Sequence, residues 1–238
     1  QKMTEHISAL ERSNLCIAFV RKHMEHRSAI RKKSKALNAN LLTAHQLAFS
    51  AVISYQDRIQ GRQYEATDPS IRGRMSLIAQ FVQGVDITEV AISEGLYANA
   101  ANLLKQELEI LVAIDEYQAG KRRDGRSPNV RNILSRFYNR YSEFNNLAHP
   151  TRQEILESLS TFSDGEHYGP TTIPRFNAEL YHILYGNQAM FLVMIFARMR
   201  TVFREVFDMD WDDEETRIIT SALRILVDEG IVEEQGEA

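Results

Sequence analysis

Residues 96–118 read LYANAANLLKQELEILVAIDEYQ and form the clearest amphipathic segment of the chain. Apolar side chains recur along it every three or four positions. They are Leu96, Ala100, Leu103, Leu104, Leu108, Leu111 and Ile114. This spacing places them on one face of an α-helix, because successive residues turn by about 100°. The segment therefore predicts a helix that packs with one face in a helical core.

The rest of the chain repeats this pattern. Further helices are predicted at 4–36, 39–62, 70–92, 130–147, 151–159, 174–208 and 212–229. Their core candidates are Leu42, Leu47, Phe49, Val52, Ile53, Met75, Ile78, Ala79, Val82, Val85, Ile133, Leu134, Phe137, Tyr141 and Phe144. Asp68-Pro69 suits a helix start, Glu94-Gly95 breaks the third helix, and Pro150 ends the fifth. Only 161–174 has the character of a loop or short hairpin.

These elements predict an all-α antiparallel helical bundle that forms a single domain over 1–238. Residues 1–36 form a long N-terminal helix that could stand apart as a dimerisation arm. Long helices also close the chain at its C-terminal end, and residues 230–238 are predicted to be a frayed tail.

The composition is that of a globular protein, with 238 residues of which 44% are hydrophobic. The one cysteine, Cys16, excludes an intramolecular disulfide and suits a reducing cytoplasm. It lies in the apolar run LCIAFV, so we expect it to be buried. The apolar run 189–197 is too short for a membrane span of about 20 residues, and residues 1–20 have no signal-peptide pattern. We therefore predict a cytoplasmic protein without a membrane partner.

The net charge of −4 is unevenly distributed. Residues 21–35 hold seven basic residues and one acid, whereas residues 205–238 hold twelve acids and two arginines. A basic segment of this kind can bind nucleic acid. It can equally be a solvated helix face that attracts the acidic segment, within one chain or across a dimer. Both interpretations stay open on the sequence.

A second pattern lies between residues 95 and 150. Lys105 and Glu109 stand four apart on the amphipathic helix, and a later helix closes on YSEFNNLAHP, which begins at Tyr141 and ends at His149-Pro150. The pairing resembles the HEPN-like helical domains, in particular an uncharacterised bacterial family with Arg-x-x-x-Glu and a later Tyr…His-Pro pattern. The match is partial and covers about 70–150, which would be the HEPN-like core. Lysine stands here in place of the commoner arginine.

The HEPN-like group that this chain resembles includes proteins that cleave RNA without a metal. They do so through an Arg-x4–6-His motif whose residues usually come from two protomers. On this chain the resemblance points to His149 as the general base, with Asn145 and Asn146 within one turn of it. The nearest preceding arginine is Arg140, nine residues earlier and outside the motif spacing. Two other pairs meet the Arg-x4–6-His spacing: Arg21 with His26, and Arg175 with His182. Chance alone predicts about two such pairs, so they are no evidence for the motif. Alternatively, His149 caps the last carbonyls of its helix.

Two polar groups accompany this candidate catalytic set. Lys105 and Glu109 face the same side of their helix and could form a polar pair inside the bundle, directed at His149; the alternative is a surface ion pair. The basic turn that follows is a candidate phosphate-binding site, or else a solvated loop. Its members are Lys121, Arg122, Arg123, Arg126 and Arg131.

No motif for a metal or cofactor is complete. Glycine-rich phosphate loops and His-Glu-x-x-His are absent, and Glu179-x-x-His182 is a single match where a di-iron bundle needs two. His23 and His26 lack the further ligands of a zinc site. The sequence thus predicts no metal and no cofactor. It favours a non-catalytic interaction or RNA-associated module, dimeric and able to bind RNA or a protein partner. The alternative is a metal-independent endoribonuclease of a stress or phage-defence system, with His149 at a dimer interface.

Overall fold

The computed structural model describes residues 9–64, 68–132, 135–149, 153–163, 165–166 and 168–232. The helices are α1 (Ala9–Leu37), α2 (Ala39–Asp57), α3 (Pro69–Ser93), α4 (Tyr97–Gln118), α5 (Ser135–Ala148), α6 (Gln153–Ser160), α7 (Ala178–Phe207) and α8 (Asp213–Asp228). A 3₁₀ turn at Val130–Asn132 precedes α5, and strands β1 (Thr161–Ser163) and β2 (Tyr168–Pro170) follow α6. The predicted all-α architecture is confirmed.

Helix α7 is the central element, because it packs against α2, α3, α4 and α8. Helix α4 also packs against α3 and α5. The apolar run of α7 is buried from Phe191 through Phe196, so it is a core segment of the bundle. By length and composition α3 and α7 could each cross a membrane, but 72% of the apolar window of α7 is buried inside the bundle, as in a core helix.

Local polar groups set the helix ends. The Asn38 side chain accepts a hydrogen bond from the backbone N–H of Leu41 at the start of α2, and Asp68 does the same for Ser70 at the start of α3. Gly95 separates α3 from α4 with a φ of 79°, a conformation that glycine adopts without a steric penalty. The predicted break at Glu94-Gly95 is therefore confirmed.

The core differs from the prediction at two positions of α2 and α3. Ile53 is 43% exposed and Ala79 is exposed. Ile53 follows Val52, whose side chain is completely buried, and the next residue on a helix points about 100° away. Leu47 and Phe49 pack against the core but are only partly buried. Ile133 and Leu134 lie outside the described residues, as does the side chain of Phe137.

The stretch between α6 and α7 forms the predicted hairpin. Strands β1 and β2 pair antiparallel, with Thr161 opposite Pro170 and Ser163 opposite Tyr168. A two-stranded hairpin contributes little stability by itself. It therefore decorates the bundle rather than adding a layer to it.

Ion pairs seat the second half of α1 on the end of α3. The Arg31 guanidinium lies 2.7 Å from Glu89, and the Arg27 guanidinium lies 2.5 Å from Glu94. Ile30 is buried between them. One of the two open interpretations of this basic segment was an attraction to the acidic C-terminal segment. Among the described residues, Arg27 and Arg31 pair with α3, because α1 crosses the C-terminal end of that helix.

Candidate functional site

The sequence-predicted polar pair lies between α4 and α5. Lys105 donates a hydrogen bond from Nζ to Asn145 Oδ1 at 3.0 Å, and its ammonium lies 5.5 Å from the centre of the Tyr141 ring. The Tyr141 hydroxyl donates to Glu109 Oε1 at 2.7 Å. Burial and the neighbouring Glu109 carboxylate together raise the pKa of Tyr141 to about 12. We call these four residues the α4–α5 seam. Both members of the predicted pair thus bind side chains of α5.

The candidate catalytic residues of α5 do not converge within one protomer. Arg140 pairs with Glu143 at 2.8 Å on the surface. His149 is exposed, and its backbone N–H continues the helical pattern by donating to the Asn145 carbonyl. Nine residues correspond to about two and a half turns, so Arg140 and His149 point to opposite sides, separated by about 13 Å along the axis. A base and a phosphate partner from these two residues would have to come from two protomers.

Asn145 and Asn146 are half-buried beside His149. Asn145 lies four residues before His149, on the same side of α5, and its side-chain oxygen is occupied by Lys105. The polar contacts of Lys105 extend to Asn145 and Tyr141 rather than to His149. We predicted that the polar pair would be directed at His149. Lys105 instead contacts Asn145, which lies one turn earlier on α5.

The basic turn after α4 folds into a groove of about 630 Å³. We call it the basic groove; it is lined by Glu116, Gly120, Lys121, Arg122, Arg123, Arg126, Ser127 and Asn129. Glu116 anchors it, because its carboxylate accepts a hydrogen bond from the backbone N–H of Asn129 at 2.7 Å. The turn is thus held in a defined shape at the C-terminal end of α4, where positive side chains are favoured by the helix dipole.

The cations of the turn have different roles. Arg122 donates to the backbone carbonyls of Arg123 and Arg126, at 3.1 and 2.7 Å, and lies 3.5 Å from Glu116. These contacts all use Nη1 and shape the turn, and the phosphate-binding role of Arg122 stays a prediction. Lys121, Arg123 and Arg126 line the groove with exposed side chains, and no hydrogen bond or ion pair holds those side chains among the described residues. Arg131 is exposed outside the groove.

The first half of α1 extends beyond the bundle. We call residues 13–24 the free arm, because all of them are exposed except His23, whose ring lies tilted against the Phe19 ring at a centroid distance of 4.2 Å. Large apolar side chains on the arm are 49–62% exposed. They are Leu15, Ile17, Phe19, Val20 and Met24. Cys16, which we expected to be buried, is exposed with them because no described element covers this part of the helix.

The apolar side chains of the free arm share one side of the helix. At 100° per residue, Leu15, Cys16, Ile17, Phe19, Val20 and Met24 cover an arc of about 200°. Arg21 and Lys22 occupy the remaining arc. The apolar arc also continues the side on which Ile30 and Ser34 are buried against the bundle. The free arm thus carries a packing face that the described part of its own bundle does not cover.

A second polar group, which the sequence interpretation missed, lies in the centre of the bundle. We call His45, Thr88, Glu107, Tyr185 and Gln188 the core polar cluster; each is buried. Four side-chain groups in it lack a hydrogen-bond partner among the described residues: the Glu107 carboxyl, His45 Nε2, the Tyr185 hydroxyl and Gln188 Oε1. The signal was present, because Glu107 falls between Leu104 and Leu111 on the apolar stripe of α4, whereas we had singled out the half-buried Glu109.

Metal-ligating side chains do not cluster in the part of the chain that the structure describes, where no group of three or more could hold an ion. His182 lies near the start of α2, with Nδ1 at 3.5 Å from Asn38 Nδ2. Neither this contact nor the ring contact of His23 with Phe19 forms the beginning of a coordination sphere.

Comparison of the chain with protein-family models, with curated proteins and with solved structures found no match.

Proposed function

We propose that this protein is a non-catalytic helical interaction module that associates with a second copy of itself through the free arm. The exposed apolar arc of residues 15–24 is the observation that carries this proposal. Monomeric soluble proteins rarely expose a contiguous apolar patch of more than a few hundred Å², and such patches mark interaction sites.

A second copy is the partner that fits the arm best. The arc continues the bundle-facing side of α1 beyond the edge of the bundle, so an identical arm lying against it would extend the same packing. Paired arms would bury on the order of 1,000 Å² in total, near the lower limit of a specific interface. The ion pairs of Arg27 and Arg31 with α3 would fix the direction in which each arm projects.

The double substitution Leu15→Glu and Phe19→Glu tests this proposal. We expect the wild-type protein to sediment as a dimer at micromolar concentration and the variant to sediment as a monomer. Burying two such side chains contributes about 1.5–3 kcal/mol each, so the dissociation constant should rise by at least roughly a hundredfold. Sedimentation velocity over a concentration series measures the dissociation constants of the wild-type protein and of the variant.

Glu25→Lys is the matched control, because Glu25 is exposed and lies about 180° from the centre of the apolar arc on the same helix. We expect it to leave the dimer largely intact. A wild-type protein that is monomeric at high concentration would contradict the proposal. So would a dimer that survives both glutamates in the apolar arc.

A second candidate function is association with RNA, and the basic groove is the observation that favours it. Three positive charges line this groove, which has a volume of about 630 Å³. They belong to Lys121, Arg123 and Arg126. Cations in such a groove bind the phosphate backbone with little dependence on sequence. The HEPN-like assignment, and cleavage by His149 across a dimer, belong to this second proposal.

Charge removal in the groove tests RNA association. With Lys121, Arg123 and Arg126 all changed to glutamine, we expect the affinity for a labelled single-stranded RNA to fall and its salt dependence to flatten. Three lost phosphate contacts reduce the slope of log K against log salt by about 2. Fluorescence anisotropy in EDTA measures this, with Arg224→Gln, an exposed change on α8, as the control.

The same samples distinguish binding from cleavage. Metal-independent cleavage of the RNA that His149→Ala abolishes would establish the endoribonuclease alternative. Binding without cleavage in both proteins would favour the RNA-associated module. Equal salt slopes for the wild-type protein and the triple variant would remove the groove from consideration.

A further inference from the structure

The Glu107 carboxyl is buried in the core polar cluster, and neither of its oxygens has a hydrogen bond of good geometry among the described residues. It is beside the Thr88 hydroxyl of α3 and the Gln188 amide of α7. Thr88 donates its own hydrogen to the Gly84 carbonyl at 3.0 Å, and Gln188 donates from Nε2 to the Val85 carbonyl at 2.8 Å. The Thr88 hydroxyl oxygen and the unpaired Gln188 Oε1 can therefore each accept a hydrogen bond. A protonated carboxyl supplies the donor, whereas a carboxylate does not.

Among the described side chains, no ion pair joins a cation of a neighbouring helix to Glu107. Arg31 of α1 is committed to Glu89 of α3. Lys105, on α4 itself, turns toward Asn145 of α5. On α7, Arg198 is the arginine closest in sequence to Gln188, and its guanidinium binds the Asp115 carboxylate. From α2 the cluster receives His45, which is buried against the Tyr185 ring.

We propose that the core polar cluster is a proton-dependent switch, in which Glu107 is a neutral acid whose ionisation at alkaline pH loosens the packing of α4 against α3 and α7. The cluster draws its residues from α2, α3, α4 and α7, and α7 packs against the other three at the centre of the bundle. An ionised carboxylate there would be a buried, unpaired charge, which costs several kcal/mol in a folded protein. The bundle can lower that cost only by admitting water or by moving α4.

The pKa values of the cluster agree with this assignment. Burial raises the pKa of Glu107 to about 8 and outweighs the neighbouring Thr88 and Gln188 groups, which favour the carboxylate. Burial also lowers the pKa of His45 to about 4 and outweighs the opposing effect of Gln188. Between these values the folded protein holds both a neutral acid and a neutral base, with Gln188 beside each of them. The cluster is thus uncharged over the range in which most proteins are stable.

The direction of the pH effect follows from linkage. The unfolded chain releases the Glu107 proton near its ordinary pKa of 4.5, whereas the folded protein keeps it up to about pH 8. Stability from this group is therefore complete below pH 4.5 and is lost as the pH rises to 8. His45 acts oppositely, because its folded pKa is lowered: its contribution is complete above pH 6.5 and is lost as the pH falls to 4. The two slopes cancel between about 4.5 and 6.5, which leaves a decline from 6.5 to 8.

Urea unfolding from pH 6 to pH 9 tests the switch with Glu107→Gln, which keeps the shape of the side chain and supplies a permanent amide donor. For the wild-type protein we expect the unfolding constant to rise by roughly tenfold per pH unit between 6.5 and 8. In Glu107→Gln this rise should be absent. Glu116→Gln serves as the control, because Glu116 is another buried carboxylate of α4 but has the Asn129 N–H and Arg122 as partners. It should keep the wild-type slope.

Infrared spectroscopy of the wild-type protein provides a second measurement that does not depend on the variant folding. A protonated carboxyl has a carbonyl stretch that a carboxylate lacks, and we expect this band at pH 6 and its loss near pH 8. Equal pH slopes in the wild-type protein and Glu107→Gln would overturn the proposal, as would the absence of the protonated band at pH 6. Neither readout depends on dimerisation through the free arm or on RNA binding.

Discussion

Replacing Glu215 by alanine is expected to lower the free energy of unfolding by about 3 kcal/mol, more than any other single carboxylate of α8. Its side chain is completely buried and lies 2.5 Å from the Arg58 guanidinium. It also accepts hydrogen bonds from the Ser54 hydroxyl at 3.2 Å and from the backbone N–H of Asp212 at 3.0 Å. The loss removes an N-terminal capping box and leaves a half-buried arginine without its main partner.

Glu214→Ala is the matched control for this prediction. Glu214 is the adjacent glutamate in the same helical turn, but its side chain is 63% exposed and pairs with Arg217 on the surface. Such a pair contributes about 0–1 kcal/mol, so the variant should unfold almost as the wild-type protein does. Urea denaturation of the two variants gives the comparison. Equal losses of stability would show that Glu215 does not hold α8 onto α2.

Replacing Glu205 by alanine is expected to destabilise the protein by about 2–4 kcal/mol, although Glu205 itself is exposed. Arg74 is the reason. Only 3% of its side chain is exposed, and its two terminal nitrogens bind the Glu205 carboxylate at 2.7 and 2.8 Å. Without that carboxylate, α3 would hold a buried guanidinium whose remaining bond is a long one to the Ser70 carbonyl.

A double variant tests whether the unpaired charge of Arg74 causes the loss of stability in Glu205→Ala. Changing Arg74 to methionine in the Glu205→Ala background removes the buried charge and keeps much of the apolar volume. We therefore expect the double variant to recover most of the lost stability, since an unpaired buried charge costs more than the pair contributes. Thermal unfolding of the single and double variants measures this coupling. A double variant less stable than Glu205→Ala would contradict the argument.

The sequence determined the elements and much of the core. Helical periodicity identified α4 and its stripe, in which Leu104, Leu108 and Leu111 are completely buried. Glycine and proline placed the boundaries at Gly95 and Pro69 within one or two residues. Such features are local, because periodicity, φ restrictions and capping act between residues a few positions apart. The hairpin between α6 and α7 was identified in the same way.

The site was predictable only in part. Spacing showed that Lys105 and Glu109 share a side of α4, but their partners Asn145 and Tyr141 follow from how α5 crosses that helix. The periodic pattern also placed Glu107 on the apolar stripe, yet a single charged position on a stripe can sit at the edge of a core or at its centre. The positions of α3 and α7 decide between the two, because they bring Thr88 and Gln188 to the carboxyl.

Tertiary structure alone decided which apolar surfaces are covered. The run around Cys16 and the run at 189–196 look equally suited to a core, yet the first projects from the bundle and the second is its centre. The basic turn shows the same division, because the sequence gives five cations alike while the fold commits Arg122 to the loop backbone. Burial and pairing depend on elements far apart in the chain. A local pattern predicts that a face will pack, and the arrangement of the other helices determines what it packs against.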